Sequence, residues 1–402
     1  GRPKARRIIP GGQTVQEWNC SEMTDQTSHA AIDILRDFDA IRVLFPVTQY
    51  QAYLMNAAQS PLNTRSRAAL DSYLDLAAVD LNARPSVREP IRDLLAGLLG
   101  GQPEDYAVTT STGTGISTVA AGFLWQAGDN VVLPANEHWN STFPWFNLQN
   151  RGVSTRMVQP NADNRVLVED LAAQVDDRTR VISITAVRFD TGFRADLRAL
   201  SDLAHAHDAL LVVDGTQCAG ASRINVIEDD IDVLACGGFK WLMGLAGTGF
   251  MYANERARAR IAPVSPGMFA AEHSFTELKF HYDARRYETG TVAYTLLHGW
   301  AAGLRLLTEI GIENIAVRNL HLTDRLIAGL RIAKHRVLSP VKTPQERSAI
   351  IAFTAGSEIS NKALFDKLAK AKVQVSLRPG SLRVSPNFFN SEAEIDQLLN
   401  CL

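Results

Sequence analysis

Residues 209–253 read ALLVVDGTQCAGASRINVIEDDIDVLACGGFKWLMGLAGTGFMYA. Three short apolar runs divide the stretch. The first, Leu210-Leu211-Val212-Val213, ends on Asp214. The second, residues 231–236, ends on Gly237-Gly238-Phe239-Lys240, and the third, residues 249–252, follows a glycine turn. Short apolar runs rich in β-branched residues and bounded by glycine and charge read as buried parallel strands. Asp214 and Lys240 then both stand at the carboxyl ends of neighbouring strands, the edge where open α/β sheets bind their ligands.

Upstream the same grammar repeats. A strand at 106–110 runs into Ser111-Thr112-Gly113-Thr114-Gly115 and a helix over 116–125. Strand, Gly/Thr/Ser loop and helix present backbone N–H groups to a phosphate, although the pattern alone is equally an N-cap and tight turn. A strand at 130–133 ends at Pro134, before Glu137-His138-Trp139-Asn140. His138, just past a strand end and among aromatics, can stack on a planar ring; a lone histidine is more often structural. A strand at 181–187 precedes Arg188-Phe189-Asp190-Thr191-Gly192, and Asp196 caps a helix over 197–207. Strands alternating with helices across 106–253 predict an α/β fold with a mostly parallel central sheet flanked by helices.

The flanks differ. Helical spacing occupies 30–45, 65–79 and 87–99, the last stopped by Gly100-Gly101, with a short apolar segment at 53–58. After residue 253 a loop-rich segment, 263–280, gives way to helices over 296–310 and 312–332. Strands at 349–354, 373–377 and 382–385 around a helix at 360–371, with a last helix at 392–401, make a smaller α+β C-terminal domain. The expected division is an N-terminal arm and helix, 1–45, that joins the small domain; a large domain, 46–285; and a small domain, 286–402.

A chain of 402 residues suits two domains, and 46% apolar with 21% charged residues is ordinary for a soluble protein. The net charge of −2 gives no reason to expect nucleic acid or an anionic membrane as partner, and no apolar stretch is long enough for a bilayer. Cys20, Cys218, Cys236 and Cys401 form no CxxC pair, so neither zinc nor a disulfide framework is suggested. The start, residues 1–12, is basic and lacks the apolar core of a signal peptide. The cytoplasm is the expected compartment.

A phosphate cradle, a stacking imidazole, a strand-end acid and a strand-end lysine on one sheet edge suit a phosphorylated aromatic cofactor that condenses with an amine. Pyridoxal 5′-phosphate is the candidate. Lys240 would form the Schiff base and later carry the proton. Asp214 would keep the pyridinium nitrogen protonated, and Gln217 would donate to the ring hydroxyl. Singly, Asp214 is equally a helix cap and Lys240 a surface lysine; the pairing at adjacent strand ends shifts the balance.

The combination is more specific than its parts. Asp214-Gly215-Thr216-Gln217, then Cys236-Gly237-Gly238-Phe239-Lys240-Trp241-Leu242 and Gly247-Thr248-Gly249-Phe250, resembles the class V aminotransferase family of fold type I pyridoxal phosphate enzymes. Cysteine desulfurases, selenocysteine lyases, isopenicillin-N-epimerase-like proteins and C–S lyases belong to it. The resemblance covers most of the chain. It implies ring stacking for His138, a phosphate loop at Thr112, Gly113 and Thr114, and a cofactor contact at Gly238. It also implies that Thr291 reaches the phosphate site of a neighbouring subunit, hence a homodimer with shared sites. Leu382-Arg383-Val384-Ser385-Pro386 resembles the motif whose arginine holds the substrate carboxylate, a role suited to a planar guanidinium fork. Asn140 is the second substrate-side candidate.

Two departures stand out. Many family members carry a polar residue, often His, before the lysine; here it is Phe239. Persulfide-forming desulfurases use a mobile-loop cysteine upstream of the carboxylate arginine, and no cysteine lies between Cys236 and Cys401. The expected activity is therefore a lyase that eliminates a Cβ substituent, C–S or another heteroatom, from an α-amino acid without a persulfide. Epimerisation and transamination are the alternatives, with a non-catalytic scaffold behind them. Arg188, Arg194, Arg285 and Arg286 are further candidates for substrate anions, and residues 263–287 for the side-chain pocket.

Overall fold

The computed structural model describes residues 37–80 and 85–402. The N-terminal arm, Cys20 and the first part of the helix expected at 30–45 lie outside the described residues. Of that helix, α1 (Phe38–Arg42) is observed. Then come a short strand β1 (Ala52–Tyr53) and two helices, α2 (Thr64–Val79) and α3 (Arg88–Leu99). Asn63 caps α2, its side chain accepting from Ser66 N–H, as a residue with a short polar side chain does at a helix start.

The centre of the molecule alternates strand and helix: β2 (Tyr106–Thr109), α4 (Thr112–Gly122), β3 (Asn130–Pro134), α5 (Trp139–Phe146), β4 (Ser154–Val158), α6 (Val168–Ala172), β5 (Thr179–Thr185), α7 (Leu197–Ala206) and β6 (Leu210–Asp214). It closes with β7 (Val233–Gly237), β8 (Gly249–Ala253) and α8 (Glu255–Arg260). The seven strands order as β2-β8-β7-β6-β5-β3-β4. β4, β3, β5, β6 and β7 are parallel throughout. β8 corrects the sequence reading, because it runs antiparallel to both its neighbours. The segment 238–248 between β7 and β8 turns back through glycines and is too short for the crossover a parallel partner needs.

Every residue of β3, β6, β7 and β8 is buried. Alternate side chains feed opposite faces, as a pleated strand requires. Leu211 and Val213 pack into one core with Leu95 of α3, Leu200 of α7 and the more distant Leu304. Leu210 and Val212 pack into the other, with Ile116 of α4 and Trp145 of α5.

Beyond α8, two long helices, α9 (Tyr294–Ile310) and α10 (Ile312–Ile332), meet at Gly311. Then come β9 (Arg336–Val337), β10 (Ile351–Thr354), α11 (Glu358–Lys370), β11 (Val373–Gln374), β12 (Ser376–Arg378), β13 (Ser381–Val384) and α12 (Glu392–Leu399). β12-β13-β10-β9 form an antiparallel sheet, while β11 pairs in parallel with β1. Leu326 of α10, Leu368 of α11, Leu382 of β13 and Ile395 of α12 share a third core with Ala52 and Leu54. Residues near 52 are thus built into the C-terminal part. Among the described residues, β1, β4, α5, α6, α8 and β9 escape the sequence reading. β4 is a partly exposed edge strand without an apolar run, and α5 carries Pro144 in its interior. No helix among the described residues is long and apolar enough to cross a membrane.

Candidate active site

The parallel strands bring their carboxyl ends level. Thr185 at the end of β5 sits opposite Asp214 at the end of β6, and Asp214 opposite Ala235 of β7. Just past β7 the chain turns through Gly238-Phe239-Lys240. That turn is tied down: Gly238 N–H donates to Thr248 O at 2.8 Å, Gly244 N–H to Gly238 O at 2.8 Å, and Met243 N–H to Lys240 O at 3.1 Å. A Cβ on Gly238 would lie 2.5 Å from Thr248 Oγ1 and 2.9 Å from the Trp300 ring, so only glycine lets the turn approach this closely. The turn delivers Lys240 into a cavity that Thr112, His138, Asn140, Asp214 and Gln217 also line.

Asp214 is 4% exposed and held at both oxygens, Oδ2 accepting from Ser141 Oγ at 2.5 Å and Oδ1 from Thr216 N–H at 2.9 Å. Gln217 is fixed from two sides: its Nε2 donates to Ala57 O and its Oε1 accepts from Trp241 Nε1, both at 2.9 Å. One N–H of its amide stays available to a ligand. Burial pushes the Lys240 ammonium down to about 8; Asp214 opposes this, while Arg383 and Arg378 add to it.

His138 caps α5 by accepting Asn140 N–H at Nδ1, 3.2 Å away. Burial and then the Lys240 charge push its pKa down, which favours the neutral ring. The Phe189 ring meets it edge-on at 5.6 Å. Behind it, buried Glu137 accepts from Thr185 Oγ1 at 2.6 Å, and burial raises its carboxyl to about 7 against the pull of Arg188.

The Ser/Thr/Gly loop forms the N-terminus of α4. Ser111 Oγ accepts Thr114 N–H at 3.1 Å. The Thr112 hydroxyl takes Gly237 N–H at 2.8 Å and meets Thr216 Oγ1 at 2.5 Å, locking the loop to β7 and to the turn after β6. Gly113 lies directly under Asn140, whose Cγ would be 3.3 Å from a Cβ there. Ser111 and Thr112 line the cavity at this helix N-terminus, where free first-turn N–H groups and the helix dipole favour an anion.

Arg383, on β13, does not itself line the cavity but is bonded to Phe189, which does. It is fully buried, with Nη1 donating to Phe189 O at 2.6 Å, Nη2 to Ser376 Oγ at 3.4 Å, and Nε without a partner. Burial, and then the Arg378 charge beside it, pushes its guanidinium down to about 9. No acid among the described residues forms an ion pair with it. A buried cation in that state awaits an anion.

The other arginine candidates are committed elsewhere. Arg188 pairs with Asp190 at 2.8 Å and Glu137 at 3.7 Å, Arg285 with Asp283 at 2.7 Å. Arg194 donates to Arg223 O and Arg286 to Arg258 O. Thr291 is exposed and does not line this cavity. Its neighbour Glu288 is buried in a fork between Arg88 (2.6 Å) and Arg92 (2.7 Å) and accepts Val108 N–H at 3.0 Å, pinning the segment to α3 and β2.

Sequence reasoning missed Ser141, Thr216, Phe189 and Arg378. Ser141 sits three residues after His138 and would have been found had Pro144 not masked α5. Thr216 lay inside the quoted Asp214-Gly215-Thr216-Gln217 run. An anion seat, a buried carboxylate, a lysine of depressed pKa and a half-buried imidazole between them fit pyridoxal phosphate: the seat matches its phosphate, the carboxylate its ring nitrogen and the lysine its aldehyde.

Known proteins agree. The sequence model of the aminotransferase class-V family matches residues 52–398. An uncharacterised protein of Schizosaccharomyces pombe is 28% identical over 389 residues, covering 92% of this chain and 88% of that one. A cysteine desulfurase of Dickeya dadantii is 30% identical over 341 residues, covering 79% and 81%. Among solved structures, the cystine C–S lyase C-DES in complex with its product cysteine persulfide shares the fold with a TM-score of 0.82 at 22% identity, over 89% of this chain and 98% of that one. The chain belongs to the class V aminotransferase family of fold type I enzymes, whose cofactor is pyridoxal 5′-phosphate.

Proposed function

We propose that the protein is a lyase acting on an α-amino acid, breaking a bond between Cβ and a heteroatom, C–S foremost, without a protein persulfide. The observation that carries this reading is Arg383: a buried guanidinium, without an acid partner among the described residues, whose charge is felt at a lysine that burial pushes down to about 8. A carboxylate seat next to a base is what α-proton removal requires. The absence of a persulfide rests on the cysteines. Burial raises the Cys218 thiol to about 11 and holds Cys236 well above its ordinary value, and none of the described cysteines, Cys401 included, lines the cavity. β12 passes to β13 through Pro379-Gly380 alone, so the turn leading into the Arg383 strand offers no thiol.

Bound pyridoxal phosphate supplies an electron sink for the charge that develops at the substrate Cα. Thr112, Gly113 and Thr114 would seat its phosphate, Asp214 its ring nitrogen, Gln217 its ring hydroxyl and His138 its face, with Gly238 giving the clearance and Lys240 the amine. Arg383, with Asn140 at the cavity mouth, would orient the amino acid by its carboxylate. Lys240 would take the Cα proton. The heteroatom leaves Cβ with its bonding pair, and the enamine released hydrolyses to a keto acid and ammonia. In this reading residues 46–285 hold the cofactor and 286–402 bring Arg383. The enzyme works in the cytoplasm as a homodimer.

Purified protein is expected to show a visible cofactor band that borohydride bleaches and Lys240→Ala lacks. It should release a keto acid and ammonia in equal amounts from a cysteine conjugate. Deuterium incorporation at Cα without net product would instead mark an epimerase, and a stoichiometric pyridoxamine form a transaminase. A colourless protein after cofactor addition would end the reading.

A further inference from the structure

Two guanidiniums stand on the Phe189 side of the cavity, and no acid among the described residues answers either. Arg383 is the buried one. Arg378 lies on the same hairpin, where Ser376 pairs with Arg383 and Arg378 with Ser381. Its Nε is buried without a hydrogen-bond partner, and its Cζ is 5.9 Å from the centre of the Phe189 ring. Its charge is felt at Lys240, His138 and Arg383 alike, so it stands within electrostatic reach of the reacting centre. The acid that acts on Arg383 most directly, Asp190, is gripped in two bonds by Arg188, Nε at 3.1 Å and Nη2 at 2.8 Å. Asp214, the acid of the cavity itself, is held by Ser141 and Thr216.

An anionic ligand group would answer both: Arg383 is buried without an acid, and Arg378 is half-buried with its Nε unpartnered. The phosphate seat at α4 belongs to the helix N-terminus, and a single α-carboxylate neutralises only one guanidinium. Phe189 joins the two arginines, its carbonyl on Arg383 and its ring toward Arg378. Resting on the functional reading above, we infer that the substrate is an α-amino acid whose side chain bears a second anionic oxygen group, held by Arg378 along the Phe189 ring while Arg383 holds the α-carboxylate. Neutral amino acids would leave Arg378 unanswered, and a site built to pair a charge discriminates against the isostere lacking it.

The test titrates the holoenzyme with isosteric pairs, L-aspartate against L-asparagine and L-glutamate against L-glutamine, following the cofactor absorbance to obtain Kd. At least one acidic member is expected to bind about tenfold or more tightly than its amide. Arg378→Met should collapse that ratio to near unity, and Arg378→Lys should restore part of it. Arg383→Met should weaken acid and amide together. Equal affinities in the wild type would overturn the inference. So would an Arg378→Met variant that keeps the ratio and loses cofactor affinity, because Arg378 would then serve the phosphate. If neutral amino acids shift the band with no acidic preference, this inference fails and the functional reading stands; if no amino acid shifts it, both fail.

Discussion

Burial strips Lys240 of hydration, Asp214 pulls its charge back, and Arg383 and Arg378 repel it, leaving the ammonium at about 8. Only the neutral amine condenses with an aldehyde, so cofactor uptake by the apoprotein should accelerate as pH rises through about 8 and then level off. The sign of each neighbour follows. Asp214→Asn removes the charge that favours the protonated form and should move the midpoint down. Arg383→Met removes one that disfavours it and should move the midpoint up. Stopped-flow absorbance after mixing with pyridoxal phosphate reads both, and movement of the two variants in one direction would contradict this balance. Asp214 and Lys240 were legible in the sequence because a charge closing an apolar run marks a strand end. Phe189 and Arg378 were not. Phe189 matters through its backbone carbonyl on Arg383 and its ring against His138 and Arg378, contacts between distant segments that no pattern reports. Arg378 lies in a three-residue strand too short to show periodicity.

At the scale of elements, the site depends on α4 being fastened to the strands beside it. Thr112 makes that joint, since its hydroxyl serves both Gly237 N–H and Thr216 Oγ1. Thr112→Val keeps the shape and deletes the oxygen. It leaves the buried Gly237 N–H and the Thr216 hydroxyl without that partner, which should cost roughly 1–3 kcal/mol, seen as a lower Tm. The Lys240 turn hangs from β7, so cofactor affinity should fall in parallel. Ser111→Ala removes only the N-cap and should cost about 1 kcal/mol. A Thr112→Val protein no less stable than Ser111→Ala would show that α4 is held by packing instead. The helix itself was readable from its cap and glycines. The joint was not, because Thr112 and Thr216 are far apart in sequence and meet only once the strands have paired. β8 was misassigned for a related reason: a buried apolar run looks the same in either direction, and only the length of 238–248 reveals the reversal.

The layered plan of the whole molecule came through in the sequence because buried strands and amphipathic helices carry their own periods, whereas contacts between distant segments carry none. Ala52 beside Val373 is one such contact. Thr291 poses the remaining question of this kind. It is exposed and outside the cavity of its own chain, yet Glu288, anchored by Arg88 and Arg92, holds its segment in place. Exposed apolar side chains cluster nearby in sequence, Met268, Phe275, Leu278 and Tyr282 among them. An exposed threonine close in sequence to the anchored Glu288 suits a surface that a second copy covers. The expected species in sedimentation has twice the chain mass of 44.0 kDa. Complementation then separates sharing from mere association. Lys240→Ala and Thr291→Ala homodimers should each be impaired, the first completely. In a mixed dimer of a two-fold assembly, one site combines both defects and the other combines an intact Lys240 with the partner's intact threonine. Refolding an equal mixture should therefore restore roughly a quarter of the wild-type sites, with heterodimers forming half of the population. If Thr291 served its own chain's site, each chain would keep its own defect in every pairing. Mixing would then return no more than the Thr291→Ala share, because neither subunit could lend what the other lacks.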